Sequence, residues 1–583
     1  MIVRTTGAVL ACLIACNVHA QVTETGSEPL RIDATAAKRV EWRDAAKAAA
    51  EAPTLALPAL AHERIEAMQR RNSESRHRRF QIGVVRAVAS EAVSDVPKPT
   101  LQAVADGTVL RLDVASAGAA ALRVGLRVDA WPDGAELRVA GTVFGDTIYA
   151  VDAATARNQA DPQGVYWTAV TDGERQRLEL FVPAGIDASR VRFSIDSVSH
   201  LVVGPQGSSG DAKALGDSGA CEIDVVCRTG TLGQNFVDLK NSVARLVFQS
   251  GGGTYTCTGT LLNDTVAATQ IPWFYTAHHC IGNQTEASTV TTFWNFETPT
   301  CNVDNAGPNI QVQGGSQLMY SQASTDGALL RLNNSPPGGA VLLGWNAGSL
   351  PTPTSIIGVH HPRGDIKKVS IGTHSGVSSN VDIDGQILSS ALRASWAEGT
   401  TEGGSSGSGL FTFNGGYQLR GGLAGGTAGC SNSGGSEASG NRDFYSRLEL
   451  VFPSISQYIA GAAQNGPTRD YTGQWDLPSE AGRGVSMFAF GQNILFALWF
   501  VYDNQGRASW YQLDAQWTGP DVASGRVVRW TGTPWGPTYN PGDRVLTQTG
   551  TFTLTFVSAT QATFAYNVDG VNRTITLTKA VVN

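Results

Sequence analysis

The sequence predicts a mainly β protein divided into several domains, and three observations carry that prediction. Its 583 residues are too many for one hydrophobic core. Sixty-six glycines, thirteen tryptophans and only four methionines, with 16% charged residues, describe a turn-rich globular chain and exclude a coiled coil or a disordered tail. Runs such as "LRVGLRVDAW", "AELRVAGTVF" and "RQRLELFVPAG" alternate apolar and polar residues with the period of half-buried strands.

From the N terminus, "MIVRTTGAVLACLIACNVHA" sets Arg4 before an apolar run and ends in Val18-His19-Ala20, the pattern of an export signal cleaved before Gln21. Secretion is therefore expected of the mature chain. "LIAC", ending at Cys16, also fits a lipoprotein signal, so tethering through Cys16 is the alternative. Residues 30–90 contain the stretches "AAKRVEWRDAAKAAAEA" and "ERIEAMQRRNSESRHRRF" and are expected to be helical, with the arginines from Arg70 to Arg79 on a solvated helix face. Processing of that cluster by another protease is a second reading. Residues 95–204 are expected to form an antiparallel β-domain, followed by a polar linker, Gly204 to Ala220, whose one cation is Lys213.

Many short strands follow in 221–462, closing in "YSRLELVFPSISQYIAG", whose apolar spacing suits an amphipathic helix. After the linker "AAQNGPTRD" comes an aromatic-rich β-module, 468–583, in which Asp503-Asn504-Gln505-Gly506 joins two aromatic strands as a hairpin. "ILFALWFVY", from Ile494, is too short to span a bilayer and reads as a buried strand. The formal net charge of −7 and the lack of a basic face argue against a nucleic-acid partner.

Without Cys12 and Cys16, which fall in the signal segment, six cysteines remain, all between Cys221 and Cys430. An even set in one region of an exported chain reads as three disulfides, and about fifteen pairings are open to it. The chain has no CxxC pair, which weakens any case for metal ligation.

Three patterns in this region carry chemistry. "WFYTAHHC" ends a strand on two histidines and a cysteine, "STDGALLRL" sets Asp326 before another strand, and "GGSSGSGLF" sets Gly404-Ser405-Ser406-Gly407 before a third. Taken singly, these are a structural histidine, a turn aspartate and a glycine-serine spacer. Together and in this order they resemble the trypsin-like serine endopeptidases. The resemblance implies that His279 is the catalytic base, with His278 beside it non-catalytic, that Asp326 orients it, and that Ser406 is the nucleophile. A serine hydroxyl attacks a peptide carbonyl only when an imidazole takes its proton, and a buried carboxylate fixes the tautomer of that imidazole. The N–H groups of Gly404 and Ser406 are expected to form the oxyanion hole, where losing one donor costs about 3 kcal/mol.

The resemblance is closer still to the bacterial lysyl endopeptidases, through "GACEIDVVCRTG", "YTAHHC", "GVHHPRGDIKKVS", "GGSSGSG" and "GNRDFYSR", which together cover nearly all of 221–450. It implies a chymotrypsin-like double β-barrel at 214–464 and disulfides Cys221–Cys430, Cys227–Cys301 and Cys257–Cys280. It also implies a propeptide at 21–213, which inhibits the catalytic domain and assists its folding. Asp443 matches the aspartate at the base of the specificity pocket, with Trp396 at the pocket side. A desolvated carboxylate there selects Lys or Arg before the scissile bond. The alternative is a surface aspartate paired with Arg442 or Arg447.

Gly409 stands where the family has proline and Ala424 where it has histidine, so the Lys/Arg preference is open while catalysis is expected to persist. Cleavage after Lys213 would make such an enzyme self-activating, with a new start at Ala214. The expected partners are protein and peptide substrates and the intramolecular propeptide. The expected state is a monomer without metal or cofactor. A glutamyl endopeptidase is the enzymatic alternative, and an inactive adhesive or carbohydrate-binding exported protein is the non-enzymatic one.

Overall fold

The structure is a computed structural model, and it describes residues 23–31, 40–43, 52–76, 79–91, 97–128, 130–191, 193–204, 217–266, 269–303, 306–460, 467, 471–490, 494–519, 521–536 and 538–580. The expected export signal with Cys16, most of "AAKRVEWRDAAKAAAEA", and Lys213 lie outside the described residues. Among those described, no helix is long and apolar enough to cross a membrane.

The N-terminal domain packs a sheet of strands Thr54–Leu57, Thr100–Val104, Gly107–Ser116, Glu136–Gly141, Tyr149–Asp152 and Arg175–Pro183 against a second sheet containing Ala121–Arg127 and Ser194–Leu201. Alternate residues such as Leu110, Leu112, Val114, Leu178 and Leu180 fill the space between them. The helical expectation for 30–90 is corrected. Among the described residues of that range the one α-helix is His62–Glu74, flanked by strands Thr54–Leu57 and Phe80–Ala87.

The helix stops because Ser75 is extended and the Asn72 side chain both donates to the Gln81 carbonyl and accepts from its N–H, each at 2.9 Å. That clasp folds the chain back into a strand whose apolar residues, Phe80, Ile82 and Val84, are buried. The arginine cluster is therefore not one solvated helix face. Arg71 sits in the last turn bonded to Gln81, whereas Arg76 and Arg79 lie beyond the helix.

A polar linker divides the sequence at 204–220, yet one sheet runs through both halves of the molecule. Strand Phe80–Ala87 pairs on one side with Ser194–Leu201 and on the other with Gly253–Leu262 of the following domain. Phe80, Ile82, Leu201, Val247 and Phe293 close this seam as a shared apolar cluster.

The disulfide-bearing region is a double β-barrel. Its first body comprises Val243–Ser250, Gly253–Leu262, Trp273–Ala277, Thr291–Trp294, Ser316–Gln322 and Gly327–Leu332. In its second, Thr354–His360, Lys368–Ile383, Gln386–Glu398, Asp443–Tyr445, Tyr417–Gly426 and Gly409–Phe413 pair in that cyclic order, which closes the sheet. Helix Leu448–Ile459 buries Leu448, Val451, Phe452, Ile455 and Ile459 against the two, as its spacing predicts. Two short strands near the N terminus, Glu24–Thr25 and Glu28–Pro29, pair with Gly344–Asn346 and Val341–Leu342. Their two-residue length left no periodicity to read.

The C-terminal module is an eight-stranded closed barrel running from Gly473–Asp476 to Val571–Lys579. Trp475, Trp499 and Trp517 are inside it, and the turn at Asp503 joins its aromatic strands as a hairpin.

Candidate active site

Strand Trp273–Ala277 is buried along its whole length and pairs with Gly327–Leu332, Ala277 lying opposite Gly327. His279 and Asp326 are therefore residues just off the ends of two paired strands, which is why 47 residues of separation bring them together. The turn at His279 is fixed by the Ile281 N–H on the Ala277 carbonyl and by the Cys257–Cys280 disulfide. Asp326 adopts φ +53°, a left-handed conformation uncommon outside glycine, and its carbonyl accepts the His278 N–H.

Ser406 reaches the same place from the second barrel. The Thr258 N–H donates to the Ser406 carbonyl at 2.8 Å, and the Gly407 N–H to the Leu423 carbonyl at 2.8 Å, so the loop is pinned to both barrels. A side chain at Gly407 would collide with Thr276 and the Thr258 carbonyl.

Three side chains meet in the seam. Ser406 Oγ is 2.7 Å from His279 Nε2, and His279 Nδ1 is 2.9 Å from Asp326 Oδ2 and 3.1 Å from Oδ1. The His279 backbone N–H also donates to Asp326 Oδ1, at 3.0 Å. Asp326 and Ser406 are fully buried and His279 is 9% exposed. Burial pushes the Asp326 carboxyl up, but the adjoining His279 charge and the hydrogen bonds from His279 and Gln386 outweigh it and hold the acid below its ordinary value. His278 points elsewhere, its Nδ1 2.7 Å from Ser321 Oγ. Gly404 sits at φ +94°, and a Cβ there would press on the backbone of His361, Arg363 and Gly364. Among the described residues, the Gly404 and Ser406 N–H groups have no hydrogen-bond partner.

The sequence reading missed two supports. Gln386 donates from Nε2 to Asp326 Oδ1 at 3.0 Å, from a hairpin turn 60 residues away, and no local pattern marks it. His360 lies 2.8 Å from Ser405 Oγ through Nδ1 and 3.0 Å from Ser370 Oγ through Nε2, tying the residue before Ser406 to two strands. Its histidine pair stood in "GVHHPRGDIKKVS", but its burial could not be read there. Burial, assisted by the Lys368 charge, lowers His360 to about 3 and keeps it neutral.

Asp443 is fully buried on the short strand between Gln386–Glu398 and Tyr417–Gly426. Its Oδ2 accepts from Trp396 Nε1 at 2.8 Å and from the Thr401 hydroxyl at 2.6 Å, so Trp396 touches the carboxylate directly. A side chain on Gly426 would collide with the Asp443 carboxylate and the Arg442 carbonyl, so this position has room only for glycine. The surface alternative is corrected, because Arg442 lies over the Phe444 ring and Arg447 pairs with Glu449 and Ser390. Ala424 is buried with Val381, Ile383, Leu388 and Ala391, which fill the space a larger residue would need. At Gly409 the ring of Phe411 folds onto the backbone where a side chain would stand.

Of the three disulfides, Cys221–Cys430 and Cys227–Cys301 tie the segment ahead of the barrels to the second and first barrel regions, and Cys257–Cys280 closes the His279 turn within the first. Cys257, His279 and Cys280 bring three potential ligand atoms within 4.8 Å of one another, but both sulfurs are engaged in the disulfide and supply no thiolate for a metal.

Residues 215–446 match the family model for the lysyl endopeptidase C-terminal domain, and residues 56–202 match that for the lysyl endopeptidase N-terminal domain. A lysyl endopeptidase of Pseudomonas aeruginosa is 35% identical over 361 residues, which are 60% of this chain and 75% of the relative. Among solved structures, the Rv3671c protease from M. tuberculosis in its active form matches at 15% identity over 44% of this chain and 95% of its own, with a TM-score of 0.27. The MamO protease domain from Magnetospirillum magneticum matches at 11% identity over 37% and 96%, with a TM-score of 0.26.

Proposed function

Because this chain belongs to the lysyl endopeptidase family and is a serine endopeptidase, we propose that Ser406, His279 and Asp326 are its catalytic triad and that it cuts after basic residues. The observation that carries this reading is the 2.7 Å contact of Ser406 Oγ with His279 Nε2, whose other nitrogen faces buried Asp326.

In the reaction, Ser406 Oγ attacks the scissile carbonyl carbon while His279 Nε2 takes the hydroxyl proton. The carbonyl electron pair moves to oxygen, which the N–H groups of Gly404 and Ser406 stabilise. Collapse of the tetrahedral species breaks the C–N bond, and His279 gives its proton to the departing amine. A water, deprotonated by His279, then attacks the acyl-serine ester, and Ser406 leaves with the proton returned. Asp326 stays ionised throughout, holding Nδ1–H and stabilising the imidazolium between steps.

Asp443 supplies the preference for a cation, since a buried carboxylate favours a long Lys or Arg side chain and repels a carboxylate. The same repulsion argues against the glutamyl alternative. The N-terminal domain is propeptide-like. Secretion through residues 1–20 and self-release by cleavage after Lys213 complete the reading. Ser406→Ala tests it: hydrolysis should fall at least 10⁴-fold, and the wild type's products from a mixed protein digest should end in Lys or Arg. Peptides ending in other residues, or full activity of the variant, would refute it.

A further inference from the structure

We propose that the outer face of the C-terminal barrel around Phe500, Trp510 and Trp530 is a binding platform for a neutral, linear polysaccharide. The barrel's own geometry carries this inference, which is independent of the triad assignment.

The interior of the barrel is filled by its own side chains, Trp475, Trp499 and Trp517 among them. Along strands Ile494–Tyr502 and Ala508–Gly519 the inward residues, such as Trp499, Tyr511 and Leu513, alternate with others that face outward. Phe500 and Trp510 are outward residues and cross-strand partners, 40% and 43% exposed. On the next strand, Val522–Thr531, half-buried Trp530 donates from Nε1 to Gln512 Oε1 at 2.8 Å and pairs with exposed Leu546 of strand Val545–Phe556. With neighbouring strands about 4.8 Å apart, Phe500, Trp510, Trp530 and Leu546 make a row about 14 Å long across four strands. Tyr502, 46% exposed, stands two residues beyond Phe500 on the same face, and fully exposed Trp535 follows in the connection after Trp530. Surfaces of monomers rarely leave so contiguous an aromatic patch in water unless a ligand covers it.

The chemistry around the row selects the occupant. An extended peptide finds no strand edge to pair with, because the barrel is closed. A barrel that spans a bilayer is apolar outside, whereas this one is apolar inside and carries Asp514 and Arg526 on its outer face. Nor is there surplus charge for an anionic lipid surface or a nucleic acid. Arg507 pairs with Asp503 at 2.9 Å, Arg526 pairs with Asp514 at 3.1 Å, and Arg544, next to Asp543, lies 5.3 Å over the Trp530 ring. A flat, uncharged aromatic row suits a chain of pyranose rings, whose C–H faces lie on the aromatic planes while their edge hydroxyls meet polar groups. The Gln512 amide and the Tyr502 hydroxyl stand beside the row for that purpose. Bound there, the polymer holds the endopeptidase beside proteins embedded in it.

The test is depletion of the full chain, carrying Ser406→Ala to suppress self-digestion, from solution by microcrystalline cellulose and by colloidal chitin. At least one polymer should retain the chain, and the matching soluble oligosaccharide should release it. Phe500→Ala/Trp510→Ala should weaken retention roughly tenfold or more, the usual cost of removing an aromatic stacking plane. In the active chain the same pair of changes should leave kcat/KM on a small peptide as it was. If that double variant melts early, Trp510→Leu, which keeps apolar bulk on the face, replaces it with an expected loss of about threefold. Retention by neither polymer, retention that the variants leave unchanged, or equal retention by phosphatidylglycerol vesicles would overturn the platform.

Discussion

Asp443→Asn isolates charge from shape at the base of the proposed specificity pocket. Asparagine is nearly isosteric, and its Oδ1 can still accept from Trp396 Nε1 and the Thr401 hydroxyl, which now hold Asp443 Oδ2 at 2.8 and 2.6 Å. What is lost is the negative charge, at a position with no solvent exposure to screen it. Removing one partner of a buried, hydrogen-bonded charge pair costs about 2–5 kcal/mol, which corresponds to a drop of roughly 30- to 5000-fold in kcat/KM for Lys or Arg peptides. A peptide with a neutral side chain of similar length should change by less than about fivefold, because the pocket walls are intact. The assay is kcat/KM on fluorogenic peptides that differ only at the residue before the bond, with active sites counted by burst titration. A fall of less than about fivefold on the cationic peptides, or an equal fall on the neutral one, would refute the reasoning.

Three further outcomes are expected. Gln386→Ala removes one donor to Asp326 and should lower kcat about 5- to 30-fold with little change in KM, read from steady-state kinetics on one Lys peptide; an effect confined to KM would place Gln386 in substrate binding instead. His360 is held near 3 when folded against about 6.5 when unfolded, so its neutral burial is favourable above pH 6.5. As pH falls below 6.5 the unfolded chain takes up a proton that the folded one refuses, and about 2 kcal/mol should be lost by pH 5. Urea unfolding of Ser406→Ala at pH 7 and 5 should show a loss about 2 kcal/mol smaller when His360→Gln is added, the remainder coming from other buried histidines such as His361 and His200, which burial also holds below their ordinary value. Gly409→Pro, which would bring the family's residue into the space of the Phe411 ring, should destabilise by about 1–3 kcal/mol in a thermal melt; a neutral result would mean that Phe411 swings aside at little cost.

The legible parts of this molecule are those in which a few consecutive residues specify their own surroundings. "WFYTAHHC", "STDGALLRL" and "GGSSGSGLF" each combine a strand with a reactive residue at its end, so the sequence could name His279, Asp326 and Ser406 before any approach between them was known. Amphipathic spacing likewise located the helix Leu448–Ile459. Gln386 and His360 were illegible because each acts through a contact with a residue 45 or more positions away, and nothing in its own neighbourhood encodes that contact. Helical propensity in "ERIEAMQRRNSESRHRRF" was real, but tertiary pairing of Phe80–Ala87 with strands on both sides overrode its continuation. The polar composition of 204–220 marked a linker in sequence and gave no sign that a single sheet bridges the domains it separates.

Peptide mapping of the chain after stoichiometric reaction with diisopropyl fluorophosphate tests the catalytic assignment most directly, because Ser405, Ser406 and Ser408 stand within four residues and differ sharply in surroundings. Ser405 Oγ lies against His360 and Ser406 Oγ against His279. The account predicts one phosphoryl group per chain, on Ser406, with loss of hydrolysis in proportion to labelling. A label on Ser405 or Ser408, or full hydrolysis by a chain wholly labelled at Ser406, would contradict it.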